Sequence, residues 1–192
     1  MTTPRPAGPL VVILDEGYDG TEIESTVLAP FGAVVVERPC HGRAAAVRQA
    51  VAGANAVLVR ESPVDAEAIA AMPECRVIVR YGVGVDNIDR EAAAARRLYV
   101  ANVPDYGVEE VSDHALALLL AVRIFGAGLD VYEREPPATD GPLFGLSNVV
   151  VTDHTGWSSE EAVADLRRKA SEEVARVLSG RPPRNWANPW KG

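Results

Sequence analysis

Five short apolar runs, each followed by a helix-like stretch, limit what this chain can fold into more than any other feature. Residues 10–14 read Leu-Val-Val-Ile-Leu, 33–36 Ala-Val-Val-Val, 56–59 Ala-Val-Leu-Val, 76–79 Arg-Val-Ile-Val and 98–101 Leu-Tyr-Val-Ala. A continuous run of this length marks a strand buried on both faces. The stretches between them, 21–28, 42–51, 65–72 and 89–97, carry helical patterning. The first places Thr21 and Glu24 in capping-box positions. Strands joined by helices form a parallel sheet covered on both faces, so the pattern predicts a doubly wound α/β domain. The expected arrangement is a flavodoxin-like five-stranded sheet in the order 2-1-3-4-5.

Beyond residue 101 the pattern changes. A helix is expected over 108–122. Its centre, Ala-Leu-Ala-Leu-Leu-Leu-Ala, is apolar almost all round and so needs cover on more than one side. Strands are expected over 128–132 and 148–152, separated by a loop rich in Pro and Gly. A last amphipathic helix, 158–178, ends at Gly180, with Pro182 and Pro183 as stops.

The net charge of -8 repels phosphate backbones and anionic lipid, so neither nucleic acid nor a membrane is expected as a partner. The longest apolar run, 115–122, is far short of the ~20 residues of a membrane span, and the first residues lack an apolar signal core. Cys40 and Cys75 read as free thiols of a cytoplasmic protein, and no His/Cys cluster has metal-ligand spacing.

Three places can carry chemistry. The loop Tyr81-Gly-Val-Gly-Val-Asp-Asn87 follows a strand, and its two glycines let backbone N–H groups approach a carboxylate or phosphate. On spacing alone it is equally a tight turn without a ligand. It reads G-x-G-x-x-N and so lacks the third glycine of a dinucleotide fingerprint. Arg60 ends the third strand, at the carboxyl edge where open α/β sheets bind ligands; it can face a substrate anion or simply lie at the surface. His154 can exchange a proton near neutral pH, and a carboxylate such as Glu135 would fix its ring. By themselves a lone His after a strand and a Glu in a polar loop are ordinary surface features. His114, in the apolar helix, reads as structural and His41 as a solvated turn residue.

Larger blocks draw these residues together. Arg80-Tyr-Gly-Val-Gly-Val-Asp-Asn-Ile-Asp89, Asn102-Val-Pro-Asp-Tyr-Gly-Val-Glu-Glu-Val-Ser-Asp-His114, Gly126-Ala-Gly-Leu-Asp-Val-Tyr-Glu-Arg-Glu-Pro-Pro137 and His154-Thr-Gly-Trp157 resemble the D-isomer-specific 2-hydroxyacid dehydrogenases. The likeness is to the branch with 3-phosphoglycerate dehydrogenase and C-terminal-binding-protein-like members. The resemblance implies that the amides of Gly82, Val83 and Gly84 hold the substrate carboxylate, that His154 is the acid/base, and that Glu135 is its partner. It also implies NAD as cofactor and a last helix that packs back on the substrate domain.

In that family a nucleotide-binding domain separates the second block from the third, together with an Arg in a Thr-Ala-Arg-Gly-like motif that clamps the substrate. Here the blocks meet at Arg123 and Ile124, and neither the domain nor the motif is present. The organisation expected is a flavodoxin-like substrate domain over 1–123, a remnant of the nucleotide-binding domain over 124–154, and a closing helix and tail over 155–192.

Several residues depart from the family pattern. Asp153 replaces the usual Pro, Arg97 and Tyr99 stand where Gly and Pro are common, and Trp186 and Trp190 fall in the tail. Such changes suit a chain engineered to stand alone after the excision. Without a cofactor site the ancestral pair His154 and Glu135 is expected to be idle, with small carboxylates or phospho-carboxylates as residual ligands. Two alternatives stay open: an active NAD-dependent enzyme whose cofactor site comes from an oligomer partner, and, remotely, a receiver-like signalling domain. A freshly exposed interface and unpaired strand edges predict a homodimer, with exchange of the segment after the junction.

Overall fold

The structure is a computed structural model that describes residues 8–15, 18–121, 126–132, 135, 137–138 and 140–190. The junction at Arg123 and Ile124 lies outside the described residues. The chain divides into two compact units: Met1–Pro104 with Ala164–Gly192, and Asp105–Val163.

In the first unit the five apolar runs form β1 (Leu10–Ile13), β2 (Val34–Glu37), β3 (Ala56–Val59), β4 (Val77–Arg80) and β5 (Tyr99–Ala101). They form a parallel sheet in the order β2-β1-β3-β4-β5, as the alternation predicts. Between them run α1 (Glu22–Leu28), α2 (Ala44–Ala50), α3 (Ala66–Ala71) and α4 (Arg90–Ala95). Side chains alternate across the sheet. Val12, Val57, Ile78 and Val100 are register partners in one buried row, packed with Val47, Ile69 and Met72. Ile13, Leu58, Val79 and Ala101 form the matching row on the opposite face, equally buried. β2 departs from the expectation of full burial: it is an edge strand, and Val34 is exposed.

The opposite face carries α6 (Glu160–Leu178), which ends at Gly180 as its sequence indicates. Gly180 has a φ of 83°, and the N–H groups of Gly180 and Arg181 bond Val177 and Arg176, the Schellman pattern. Glu24 corrects the sequence reading. Thr21 makes no side-chain cap. Glu24 is instead buried, and its carboxylate takes Arg167 of α6 in two bonds of 2.9 and 2.8 Å and the Tyr81 hydroxyl at 2.9 Å. A buried carboxylate needs such partners. Burial and Glu24 push the Tyr81 hydroxyl well above its usual pKa, so it stays a donor.

The second unit contains α5 (Val108–Ala121) and a two-stranded parallel sheet of β6 (Ala127–Leu129) and β7 (Val149–Val151). Both strands are shorter than the patterning predicts. Leu118 is buried, and a Cβ on Gly128 would run into it, so α5 and β6 approach closely there. The side chains of 116, 117, 119 and 120, on which the cover expected for this helix turns, lie outside the described residues.

Cys40 and Cys75 are both free and buried. Burial pushes the Cys75 thiol up to about 12. Among the described residues no helix is long and apolar enough to cross a membrane, and no His/Cys/Asp/Glu group could hold a metal.

Candidate functional site

Arg60, Gly82, Val83 and Gly84 lie in the first unit, Glu135 and His154 in the second. At the carboxyl edge of the five-stranded sheet the chain makes a tight turn after β4. Gly82 has a φ of 138°, its N–H returns to the Arg80 carbonyl at 3.0 Å, and its carbonyl accepts from Val103 at 2.9 Å. Asn102 Nδ2 donates to the Val83 carbonyl at 2.6 Å. Val83 and Gly84 are left exposed.

Sequence reasoning missed Arg80. It pairs in register with Val59, one residue before Arg60, so the two arginines stand at the same sheet edge with their side chains on opposite faces. A Cβ on Gly82 would run into Arg80 Nη1, so the cation lies directly against the glycine turn. The Arg80 Nε donates to the Arg60 carbonyl at 3.1 Å. The signal was available, because Arg80 ends one apolar run just as Arg60 follows another.

Arg60 itself lies 5.7 Å from the centre of the Tyr18 ring and 3.4 Å from Glu61 Oε1. Its backbone is held by Asp15, whose carboxylate accepts from the amides of Arg60, Glu61 and Ser62 at 2.7, 3.1 and 3.1 Å and from the Ser62 hydroxyl at 2.5 Å. Asn87 Nδ2 bonds the Ser62 carbonyl at 3.0 Å from the other side. The two loops of the edge are thus tied together. The arrangement offers exposed backbone, with the Arg80 guanidinium beside it, to a small anion.

In the second unit the structure brings His154 and Glu135 together. His154 Nδ1 lies 2.8 Å from Glu135 Oε2, and the other carboxylate oxygen accepts from the Tyr132 amide at 3.0 Å. His154 holds a φ of 60°, and Trp157 Nε1 donates to its carbonyl at 3.1 Å. The hydrogen bond from His154, followed by the Tyr132 amide, holds the Glu135 carboxyl below the usual glutamate range. An ionised Glu135 places the proton on Nδ1 and leaves Nε2, on a half-exposed ring, to exchange one with a ligand.

Asp130 builds this corner. It accepts from the Thr152 hydroxyl at 2.6 Å and from the amides of Thr155 and Gly156 at 3.1 and 3.0 Å. Burial alone would raise its carboxyl, but the Thr152 bond and these amides outweigh it and hold it below the usual range. His114 packs here as a structural residue, 3.0 Å from Thr152 Oγ1. His41 is exposed.

The resemblance also implies a dinucleotide, which needs a glycine turn opening directly into a helix N-terminus. The turn after β4 comes nearest to that pattern. Residues 85–89 separate it from α4, and the Asp89 carboxylate already accepts the Ala92 amide at the start of that helix. A carboxylate in that position repels a pyrophosphate. These residues do not fit a dinucleotide, and no step is assigned to one.

Comparison with known proteins gives one consistent answer. Residues 12–188 match a family profile described as the catalytic domain of D-isomer specific 2-hydroxyacid dehydrogenases. The D-3-phosphoglycerate dehydrogenase of Mycobacterium tuberculosis (strain ATCC 25618 / H37Rv) is 43% identical over 95 residues, 49% of this chain and 16% of that protein. The glyoxylate reductase of Korarchaeum cryptofilum is 42% identical over 73 residues, 38% of this chain and 22% of that protein. The matches thus span less than a quarter of these curated relatives.

The TT0316 protein from Thermus thermophilus superposes with a TM-score of 0.78 at 18% identity, covering 93% of this chain and 99% of that one. NAD+-bound 3-phosphoglycerate dehydrogenase from Entamoeba histolytica gives 0.71 at 14% identity, covering 96% and 100%. At such identities these two show the fold alone. With the profile spanning both units, the receiver-like alternative falls away, and the chain belongs to the D-isomer specific 2-hydroxyacid dehydrogenase family.

Proposed function

We propose that this chain is a substrate-binding module of that family, edited to stand without its nucleotide-binding domain. It holds a small carboxylate or phospho-carboxylate at the carboxyl edge and does not turn it over. One observation carries the reading: Arg80 lies against Gly82, next to the exposed Val83 and Gly84, while Asp89 fills the helix start that a dinucleotide would need. The Arg80 guanidinium and exposed backbone amides suit a small anion.

The test is to add 3-phosphoglycerate, then simple 2-keto acids, and follow the amide NMR signals. Saturable shifts at Val83 and Gly84 are the expected result, weakened about tenfold by Arg80→Gln, the loss of roughly 1.4 kcal/mol that one charge-assisted bond supplies. Absence of any shift at that turn rejects the reading.

A second reading is an active enzyme whose cofactor site is supplied by a partner chain. The hydrogen bond between His154 and Glu135 favours it, because that couple is assembled for proton transfer. Saturable quenching of tryptophan fluorescence by NADH, with substrate-dependent loss of nicotinamide absorbance, selects this alternative.

The same reading includes a homodimer in the cytoplasm. Val131, Phe144 and Leu146 are exposed in the second unit, and among the described residues its sheet has two strands only, with no further strand paired to either. Sedimentation that stays at the monomer mass at every concentration refutes the dimer.

A further inference from the structure

The β5 edge of the five-stranded sheet is closed by the last residues of the chain. A terminal strand normally presents a row of unpaired N–H and C=O groups. On β5 the outward groups are the Leu98 carbonyl, the Val100 amide and carbonyl, and the Asn102 amide, and the tail satisfies all of them. Asn188 is buried, and its side chain donates Nδ2–H to Leu98 at 2.9 Å and accepts the Val100 N–H at 2.8 Å, imitating a peptide group. Ala187 donates its amide to the Val100 carbonyl at 2.8 Å, and the Asn185 carbonyl accepts from Asn102 at 3.3 Å, flanking an antiparallel bridge between Ala101 and Trp186.

Side chains fasten the segment. Trp186 Nε1 donates to Asn188 Oδ1 at 2.9 Å. Tyr99, Trp186 and Trp190 form a mutual aromatic cluster with ring centres 5.0, 4.7 and 4.5 Å apart. Glu173 of α6 accepts the Arg184 amide at 2.7 Å and so sets where the strap leaves the helix.

We propose that residues 185–190 are a strap over a strand-acceptor site, and that the occupant it keeps out is the β5 edge of a second copy. The geometry selects that occupant. The strap runs antiparallel to β5, and two identical edges related by a two-fold axis meet antiparallel by necessity. Releasing the strap extends the sheet across two chains through the outward groups that the tail now satisfies. This is independent of the ligand-binding reading.

The test uses the full chain with Trp186→Ala, Asn188→Leu and Trp190→Ala combined. The variant is expected to gain self-association that doubles its mass relative to the unmodified chain as concentration rises. Excess peptide Asn-Trp-Ala-Asn-Pro-Trp should reverse the gain and shift the Val100 and Ala101 amide signals; the same peptide with Leu for its second Asn should do neither. A folded variant that keeps the unmodified chain's mass and ignores the peptide overturns the proposal. Should the triple variant not fold, Asn188→Leu alone decides. Exchange of the Val100 amide is then expected to quicken about tenfold, the loss of one buried hydrogen bond, and unchanged exchange overturns the proposal.

Discussion

His154 adopts a backbone conformation that few residues other than glycine favour, with a φ of 60°. Its ring meets Glu135, and the turn beneath it hangs on Asp130. Because the His154 bond is the largest influence on Glu135, that carboxyl is expected to titrate below an ordinary glutamate, and His154→Ala should raise it. Carbon NMR of the labelled carboxyl measures both. For Asp130 the sign follows from a depressed folded pKa. The stability it contributes is complete above the ordinary aspartate pKa and is lost as pH falls through the folded value. Asp130→Asn should remove that acid dependence and loosen the His154 turn, at about 1–3 kcal/mol, read as faster amide exchange at Thr155 and Gly156. Arg97 also stands at a left-handed angle, with a φ of 52° just past α4. Its N–H and that of Leu98 close a Schellman motif on Ala94 and Ala93. Arg97→Gly should therefore stabilise the fold by about 1 kcal/mol, seen as a higher urea midpoint with an unchanged slope.

Among the elements, α1 and α6 are joined by the ion pair of Glu24 and Arg167, with both side chains nearly inaccessible. Removing one partner strands a buried charge, so Glu24→Ala or Arg167→Ala should each cost about 3–5 kcal/mol in urea unfolding, and the double variant with matched apolar residues much less. This pair also marks the limit of what the sequence discloses. Strands and their order were legible because apolar runs between helices report burial on both faces, a local property. The end of α6 was legible because Gly180 and two prolines stop a helix by their own backbone preferences. Glu24 was misread because a capping box and a buried ion pair look alike until a helix 143 residues away arrives. The part Asp15 plays in holding the Arg60 loop was hidden for the same reason, since its partners follow another strand. The pairing of His154 with Glu135 came from family likeness, as nothing in either local stretch requires it.

At the scale of the whole molecule, a family domain carries the hydrogen-bonded pair of His154 and Glu135 in one unit and the glycine turn against Arg80 in the other. Binding there asks only for backbone and guanidinium groups, whereas hydride transfer also asks for a held nicotinamide. The account stands or falls on that division. The direct test is to titrate NADH into the chain, with 3-phosphoglycerate or a 2-keto acid present, following tryptophan fluorescence and nicotinamide absorbance together. The account predicts no saturable quenching and no substrate-dependent oxidation, with the anion still shifting Val83 and Gly84. Saturable NADH binding accompanied by turnover that His154→Ala abolishes would contradict it.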